Sequence, residues 1–400
     1  MKANPNTEYR TLNTSSCDVL VVGGGVAGVP AAVAAARAGA NTLLVEKRPF
    51  PGGTGVVALH RTLCGLYSTG GAGGQASGAT LVNGGLVGEI CERLAALAPD
   101  SRPIRLGKVD VLPYLPDHLR TIYSDLLQAE KCLRVRFETE IHDARLKDDR
   151  IESVMAGAEK IFADRVVDCS GDGVVICSHP ALHEAPPVAG RQLAGLVLQF
   201  TGVSGSDDML PIKVPYAIRQ GTESGALPAS LRFTTFSPGD KRDEGGCKLS
   251  FPSGTTDRQA RETAMRLYEY LRETLPAFRN ARIVNSSPEV LEREGARLKG
   301  LYTLTEEDVL ASRRFPDAVA RSAWPIELWD PQRGPIYRYP EPGTACDIPL
   351  RCLKAGAVVN LFCAGRCISA THEALAATRV MGTCMALGEA AGREAAGCRI

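Results

Sequence analysis

The run Val19–Val22 is apolar at every position, the pattern of a strand buried on both faces. Gly23-Gly-Gly-Val-Ala-Gly28 follows it. An alanine-rich stretch with few large side chains then leads to a second apolar run, Leu43-Leu-Val45, closed by Glu46. The order predicts strand, glycine turn, helix close to the sheet, and strand, a β-α-β unit over the first fifty residues. Pro30 falls early in that helix, where a missing N–H is tolerated. Leu86, Ile90, Leu94 and Leu97 recur at helical spacing and predict a helix over Gly85–Leu97. A second helix is predicted over Pro116–Lys131. Short strands follow at Leu133–Phe137, Glu140–Leu146, Arg150–Ala156 and Lys160–Phe162, with Asp148-Asp149 as a turn. The strand Arg165–Cys169 then leads into Ser170-Gly-Asp-Gly173.

The pattern changes between residues 185 and 340. Strand-like runs at Leu196–Thr201, Leu231–Phe236 and Cys247–Phe251 mix with a long helix over Thr256–Thr274. The chain then returns to a buried strand, Ala357–Ala364, followed by Gly365-Arg366 and a last helix from Gly382 to about Ala396. The expected fold class is α/β. A Rossmann-like domain with a parallel sheet and a β-meander spans 15–184 and 341–400, and an inserted α+β substrate domain spans 185–340.

Composition narrows the partners. The 400 residues include 46 basic and 45 acidic ones, a net charge of +1, and no basic face or tail stands out. Nucleic acid is therefore not an expected partner. No apolar run approaches the roughly 20 residues of a membrane span, and the polar first ten residues do not read as a signal peptide. A cytoplasmic protein is expected. The thirteen cysteines are odd in number and contain no C-x2-C pair, so neither a disulfide framework nor a metal site is expected. Cys169, Cys352, Cys363 and Cys384 read as small buried hydrophobes, with Cys363 and Cys367 in a C-x3-C spacing.

The opening unit carries the chemistry. Gly23 suits the tight turn, Gly25 the close approach of a pyrophosphate, and Gly28 the contact of helix with strand. The helix N-terminus offers N–H groups to phosphate. Glu46 lies 46 − 28 = 18 residues beyond Gly28, where an acid accepts ribose hydroxyls, with Lys47 beside it. The glycine-rich stretch 51–84 is too long for a plain connection and reads as a loop wrapping the cofactor. No second strand–GxGxxG–helix unit occurs in the sequence.

Four blocks resemble the FAD-dependent oxidoreductase family, related to the fumarate reductase and glutathione reductase flavoprotein superfamily. They are Gly23–Glu46 with Gly52-Gly53; Val166-Val-Asp-Cys-Ser-Gly-Asp-Gly173; Arg293-Glu-Gly-Ala-Arg-Leu-Lys-Gly300 continuing through Tyr302 to Val319; and Asp347–Arg351 with Asn360–His372 and Arg379–Gly392. The chain departs from that pattern at Ala296, where an arginine is usual, and in Pro325–Asp330, which lacks the usual histidine.

The resemblance implies FAD, not NAD. The implied cofactor contacts are Gly53, Thr54, Gly171, Asp172, Gly365 and Arg366, with Gly382 and Thr383 opening a helix towards the flavin. His372 and Arg379 are the candidate catalytic pair, as proton acceptor and as anchor for an anionic group. Arg297 and Tyr302 are candidates for the substrate pocket, and His60 or Cys64 for covalent flavin attachment. The implied activity is a dehydrogenase or oxidase passing hydride from a small polar substrate to flavin N5, with an unidentified electron acceptor. Two alternatives stand beside it: a reductase fed by a partner protein, and a flavin–thiol electron-transfer subunit. A homodimer is compatible with either.

Overall fold

The computed structural model describes residues 14–68, 79–98, 101–187, 189–204 and 208–397. The polar first ten residues and the Gly70–Gly74 part of the glycine-rich loop lie outside the described residues.

The opening unit forms as the pattern predicts: β1 (Thr14–Val22), α1 (Gly28–Arg37) and β2 (Thr42–Val45). Pro30 sits in the first turn of α1, where its missing N–H costs no intrahelical bond. The helix α2 (Leu86–Leu97) buries Leu86, Ile90 and Leu94, whereas Leu97 at its end faces solvent. Then come α3 (Pro116–Ala129), β3 (Leu133–Arg136), β4 (Ile141–Lys147), β5 (Arg150–Ala156) and β6 (Glu159–Asp168). The sheet order is β3-β2-β1-β6-β5-β4. Its first four strands are parallel, and β6-β5-β4 form the antiparallel meander. The two segments expected at Lys160–Phe162 and Arg165–Cys169 are one strand. Pairing with β1 runs from Thr14↔Lys160 to Val22↔Asp168 and carries it through the polar middle.

A further parallel strand pairs with the end of β6. It is shorter than expected, Leu361–Cys363, because Asn360 turns its side-chain amide onto the Ile151 backbone.

The second layer contains β7 (Ala194–Thr201), α4 (Leu210–Glu223), β8 (Thr235–Pro238), β9 (Gly245–Phe251), α5 (Asp257–Thr274) and β10 (Arg282–Ser286). Its sheet is antiparallel, in the order β8-β9-β7-β10. Thr256 caps α5 in a capping box with Gln259. Phe200, Val214, Phe236, Leu267 and Phe278 form a separate core here. The run Leu231–Phe236 is not a strand throughout: Ala229–Phe233 is a 3-10 turn that buries Leu231, and pairing starts only at Thr235. Downstream, Leu304, Val309, Ala320 and Ile326 pack into the core of the first sheet.

A hairpin, β11 (Ile326–Asp330) with β12 (Gly334–Arg338), precedes the last helices, α6 (His372–Thr378) and α7 (Met381–Ala395). Among the described residues no helix is long and apolar enough to cross a membrane.

Candidate active site

Register sets the site. Val22 pairs with Val45 and with Asp168, and Asp168 pairs with Cys363, so four parallel strands end level. Gly23, Glu46, Cys169 and Ala364 therefore leave the sheet together, at the carboxyl edge where such sheets bind nucleotides.

Glycines clear this edge. Gly23 has φ +95°, and a Cβ there would lie 2.8 Å from the Cys169 carbonyl oxygen. At Gly28 a Cβ would meet Gly23 O at 1.7 Å, so α1 lies directly on the turn. Gly53 has φ +47° and faces Gly25; a Cβ on it would come within 2.9 Å of the Gly25 Cα. The start of α1 has no side-chain cap and no acid in its first turn. Its N–H groups and the positive end of its dipole suit a pyrophosphate.

Beside it, Glu46 accepts hydrogen bonds from Gly24 N–H at 2.6 Å and Arg48 N–H at 2.8 Å. These leave lone pairs on both oxygens for ribose hydroxyls. Asp168 is fully buried and accepts from the Ser170 N–H and hydroxyl and from the N–H groups of Val175 and Ile176. Burial raises its carboxyl, and these donors oppose the shift. Asp168 thereby shapes the turn carrying Gly171. It lies within the second family block, but its own role was not among the expectations.

A single cleft runs from this edge into the second layer. Gly23, Gly25, Glu46, Lys47, Gly53 and Thr54 line its outer part; Gly171, Asp172, Gly365 and Arg366 line its floor. Arg366 ties the layers together, donating to Asp172 and to the Glu292 carbonyl, each at 2.9 Å. The inner end is a polar chamber holding His60, Lys248, Arg293, Glu327, Trp329 and Arg379. Trp329 and Trp324 donate their indole N–H groups to Glu327, at 2.8 and 3.0 Å. Burial would raise Glu327, but Arg379, Lys248 and the two indoles outweigh it and hold the carboxyl low.

Burial, then Lys248, Arg293 and Arg379, push His60 down to about 3. Burial and Arg293 bring Lys248 down to about 8. Of the residues here, Arg379 was expected as catalytic, His60 and Cys64 as attachment points, and Arg293 only as part of a family block. Lys248 on β9 and Glu327 on β11 lie far from any motif, and only folding brings them together.

Several expected site residues lie elsewhere. His372 is not among the cleft-lining residues, because it begins α6 and its Nδ1 turns to the buried Glu294 Oε2 at 2.7 Å. Glu294 also accepts from Gln192 N–H at 2.6 Å, and Gln192 Oε1 accepts from Arg379 at 3.4 Å. His372 thus reaches the chamber through two intermediaries. Gly382 and Thr383 are likewise absent from the lining, although Met381 and Cys384 belong to it. Gly382 donates to the Cys64 carbonyl and seats α7 on Gly65, while Thr383 is fully buried. Gly28 is also absent from the lining and seats the start of α1 on Gly23. Arg297 lies beside Glu294 and Glu184 instead of the cleft. Tyr302 donates to Asp308 and stacks edge-on with Phe315. Cys64 lines the chamber, its thiol raised by burial to about 12. No metal-ligand cluster occurs among the described residues.

The glycine cradle, the uncapped helix start and the twice-anchored Glu46 fit a dinucleotide. The model of the family described as FAD dependent oxidoreductase matches residues 18–399. The chain belongs to that family. The protein is an FAD-dependent oxidoreductase, and the cradle fits the dinucleotide part of that cofactor. No curated protein matches the chain. Among solved structures, it is similar to glycine oxidase from Bacillus cereus ATCC 14579, with 11% identity, 96% of each chain covered and a TM-score of 0.46. It is also similar to a geranylgeranyl bacteriochlorophyll reductase-like protein from Thermoplasma acidophilum, at 12% identity, 96% and 78% coverage and a TM-score of 0.45. For the Diels-Alderase PyrE3 of pyrroindomycin biosynthesis the values are 13%, 72% and 57%, and 0.45, so this chain spans little more than half of that one.

Proposed function

We propose that this oxidoreductase is a dehydrogenase or oxidase that removes hydride from a carbon of a small polar substrate. FAD, when bound, supplies the two-electron acceptor, its N5 being the atom that takes the hydride. One observation supports the reading above others: the glycine-lined channel and the polar chamber form one continuous cleft. Arg379 orients the substrate. It donates to the Glu327 carbonyl at 3.0 Å and to Gln192, and its buried Nε has no partner. His60 is a neutral imidazole at pH 7, given its depressed pKa. One ring nitrogen can accept a hydrogen bond from a substrate O–H or N–H and so orient it, while the same burial and cations disfavour an imidazolium there.

The thiol reading has little support. Cys363 and Cys367 are fully buried, and burial pushes the Cys363 thiol well above its usual range. A thiol so placed is a poor nucleophile.

Anaerobic mixing of the FAD-loaded protein with a metabolite panel tests the proposal. At least one polar metabolite is expected to bleach the flavin absorbance. If none does, while a panel member reoxidises chemically reduced protein, electrons flow the other way.

A further inference from the structure

The chamber carries more positive charge than its own residues neutralise. Lys248, Arg293 and Arg379 converge there, with Glu327 as the facing carboxylate. Their contacts are of other kinds than ion pairs. Lys248 Nζ and the Arg293 guanidinium lie over the Trp329 ring, 4.5 and 4.1 Å from its centroid. Arg293 donates to the Leu193 carbonyl, and Arg379 to the Glu327 carbonyl. Both Glu327 oxygens are engaged by indole N–H groups. Arg293 is only 7% exposed. An aromatic face attracts a cation but does not cancel its charge, and a buried cation without a counter-charge is costly. Of the neighbouring carboxylates, Glu292 beside Arg293 turns its oxygens to Ser253 and Gly254, and Glu294 beside Arg379 turns its own to Gln192 and His372, so inside the chamber three cations face Glu327 and leave a demand for an anion.

The wall completes the picture. Leu196, Trp329, Val380 and Met381 give the chamber apolar surface beside the cations. Such a surface suits a carbon skeleton with an anionic head. A phosphate dianion would set its second charge against Glu327, whereas a carboxylate carries one.

We propose that the chamber binds the carboxylate of an organic anion, held by Lys248, Arg293 and Arg379 against the Trp329 ring. That this anion is the substrate rests on the dehydrogenase-or-oxidase reading; the binding itself does not.

The two tryptophans of the sequence both bond to Glu327, so their fluorescence reports the chamber. The FAD-loaded protein is titrated with benzoate, with benzamide as its neutral isostere, and with inorganic phosphate. Tryptophan emission and the flavin spectrum are read together. Benzoate is expected to saturate, with benzamide and phosphate binding far more weakly. Lys248→Gln and Arg293→Gln should each weaken benzoate by about 10–100-fold, the scale of one charge-assisted bond. Lys248 is less deeply buried than Arg293, so Lys248→Gln tests the idea even if Arg293→Gln misfolds; retained FAD stoichiometry is the control.

Benzamide or phosphate binding as tightly as benzoate overturns the proposal, as does unchanged benzoate affinity in a folded Lys248→Gln. If no polar metabolite of the panel bleaches the flavin but benzoate binds as described, the dehydrogenase-or-oxidase reading fails and this one stands. If an uncharged metabolite bleaches the flavin and benzoate neither binds nor competes, the reverse holds.

Discussion

At Glu46 one carboxylate has two tasks. It anchors the backbone N–H groups of Gly24 and Arg48 and keeps lone pairs for a ribose. Glu46→Gln replaces one acceptor oxygen by a donor and should weaken FAD binding by about 1–3 kcal/mol, measured by flavin fluorescence titration. Its place beside the glycine turn was legible because that follows from strand spacing alone. His372 was not, because its neighbour in space, Glu294, is 78 positions away. His372 reaches Arg379 only through Glu294 and Gln192, the place of a positioning residue. His372→Ala should raise the substrate KM several-fold and leave the rate of flavin reduction at saturation within about tenfold. A fall of roughly 10²–10⁴-fold in that rate would restore it as the proton acceptor.

Lys248 sets a pH dependence. Burial and Arg293 lower its pKa to about 8, so the charge is present below that value and lost above it. The facing groups are Arg293, Arg379, His60, Glu327 and Cys64. His60 is neutral and Glu327 ionised on both sides of this step, Cys64 is raised to about 12, and Arg293, itself lowered, can only add to the trend. Benzoate affinity should therefore fall as pH rises through about 8, and Lys248→Met should flatten that step.

Among the elements, α1 and α7 pack backbone against backbone. A Cβ on Gly388 would lie 2.0 Å from the Ala27 carbonyl, and one on Gly392 equally close to that of Ala31. Two glycines one turn apart let α7 rest on the backbone of α1, which holds the phosphate-binding turn in place. An alanine in mid-helix gains about 1 kcal/mol in propensity over glycine. Here the obstacle is backbone, which cannot rotate aside, and overpacking of this kind costs about 1–3 kcal/mol or more. Gly388→Ala should thus lower the melting temperature and weaken FAD binding together; a rise in melting temperature would contradict this packing.

The same contrast explains which elements the sequence disclosed. The β-α-β unit, α3 and α5 carry strong periodicity or caps. The helix α4 was missed because Pro211 and Pro215 interrupt its pattern, although Pro211 falls in the first turn. The short strand Leu361–Cys363 was overextended because an apolar run does not say where Asn360 will bond.

In the whole molecule, the cleft has one nucleotide edge. The level ends of the parallel strands supply it, and the opposite wall comes from β7 and the segment after β10. That second sheet is antiparallel throughout its described strands, so it offers no row of strand ends feeding helix N-termini. The sequence likewise holds no second glycine fingerprint. The parallel edge was readable residue by residue, whereas the chamber depends on how two sheets face each other, which no local pattern encodes. A nicotinamide dinucleotide would have to reach the flavin without a phosphate cradle of its own, through a chamber narrowed by Trp329, Lys248 and Arg379. NADH or NADPH added anaerobically to the FAD-loaded protein should therefore leave the flavin absorbance almost unchanged over the time in which a true substrate bleaches it. Bleaching by either nucleotide at the rate of turnover would mean that the chamber itself admits nicotinamide, and would move the protein to the reductases.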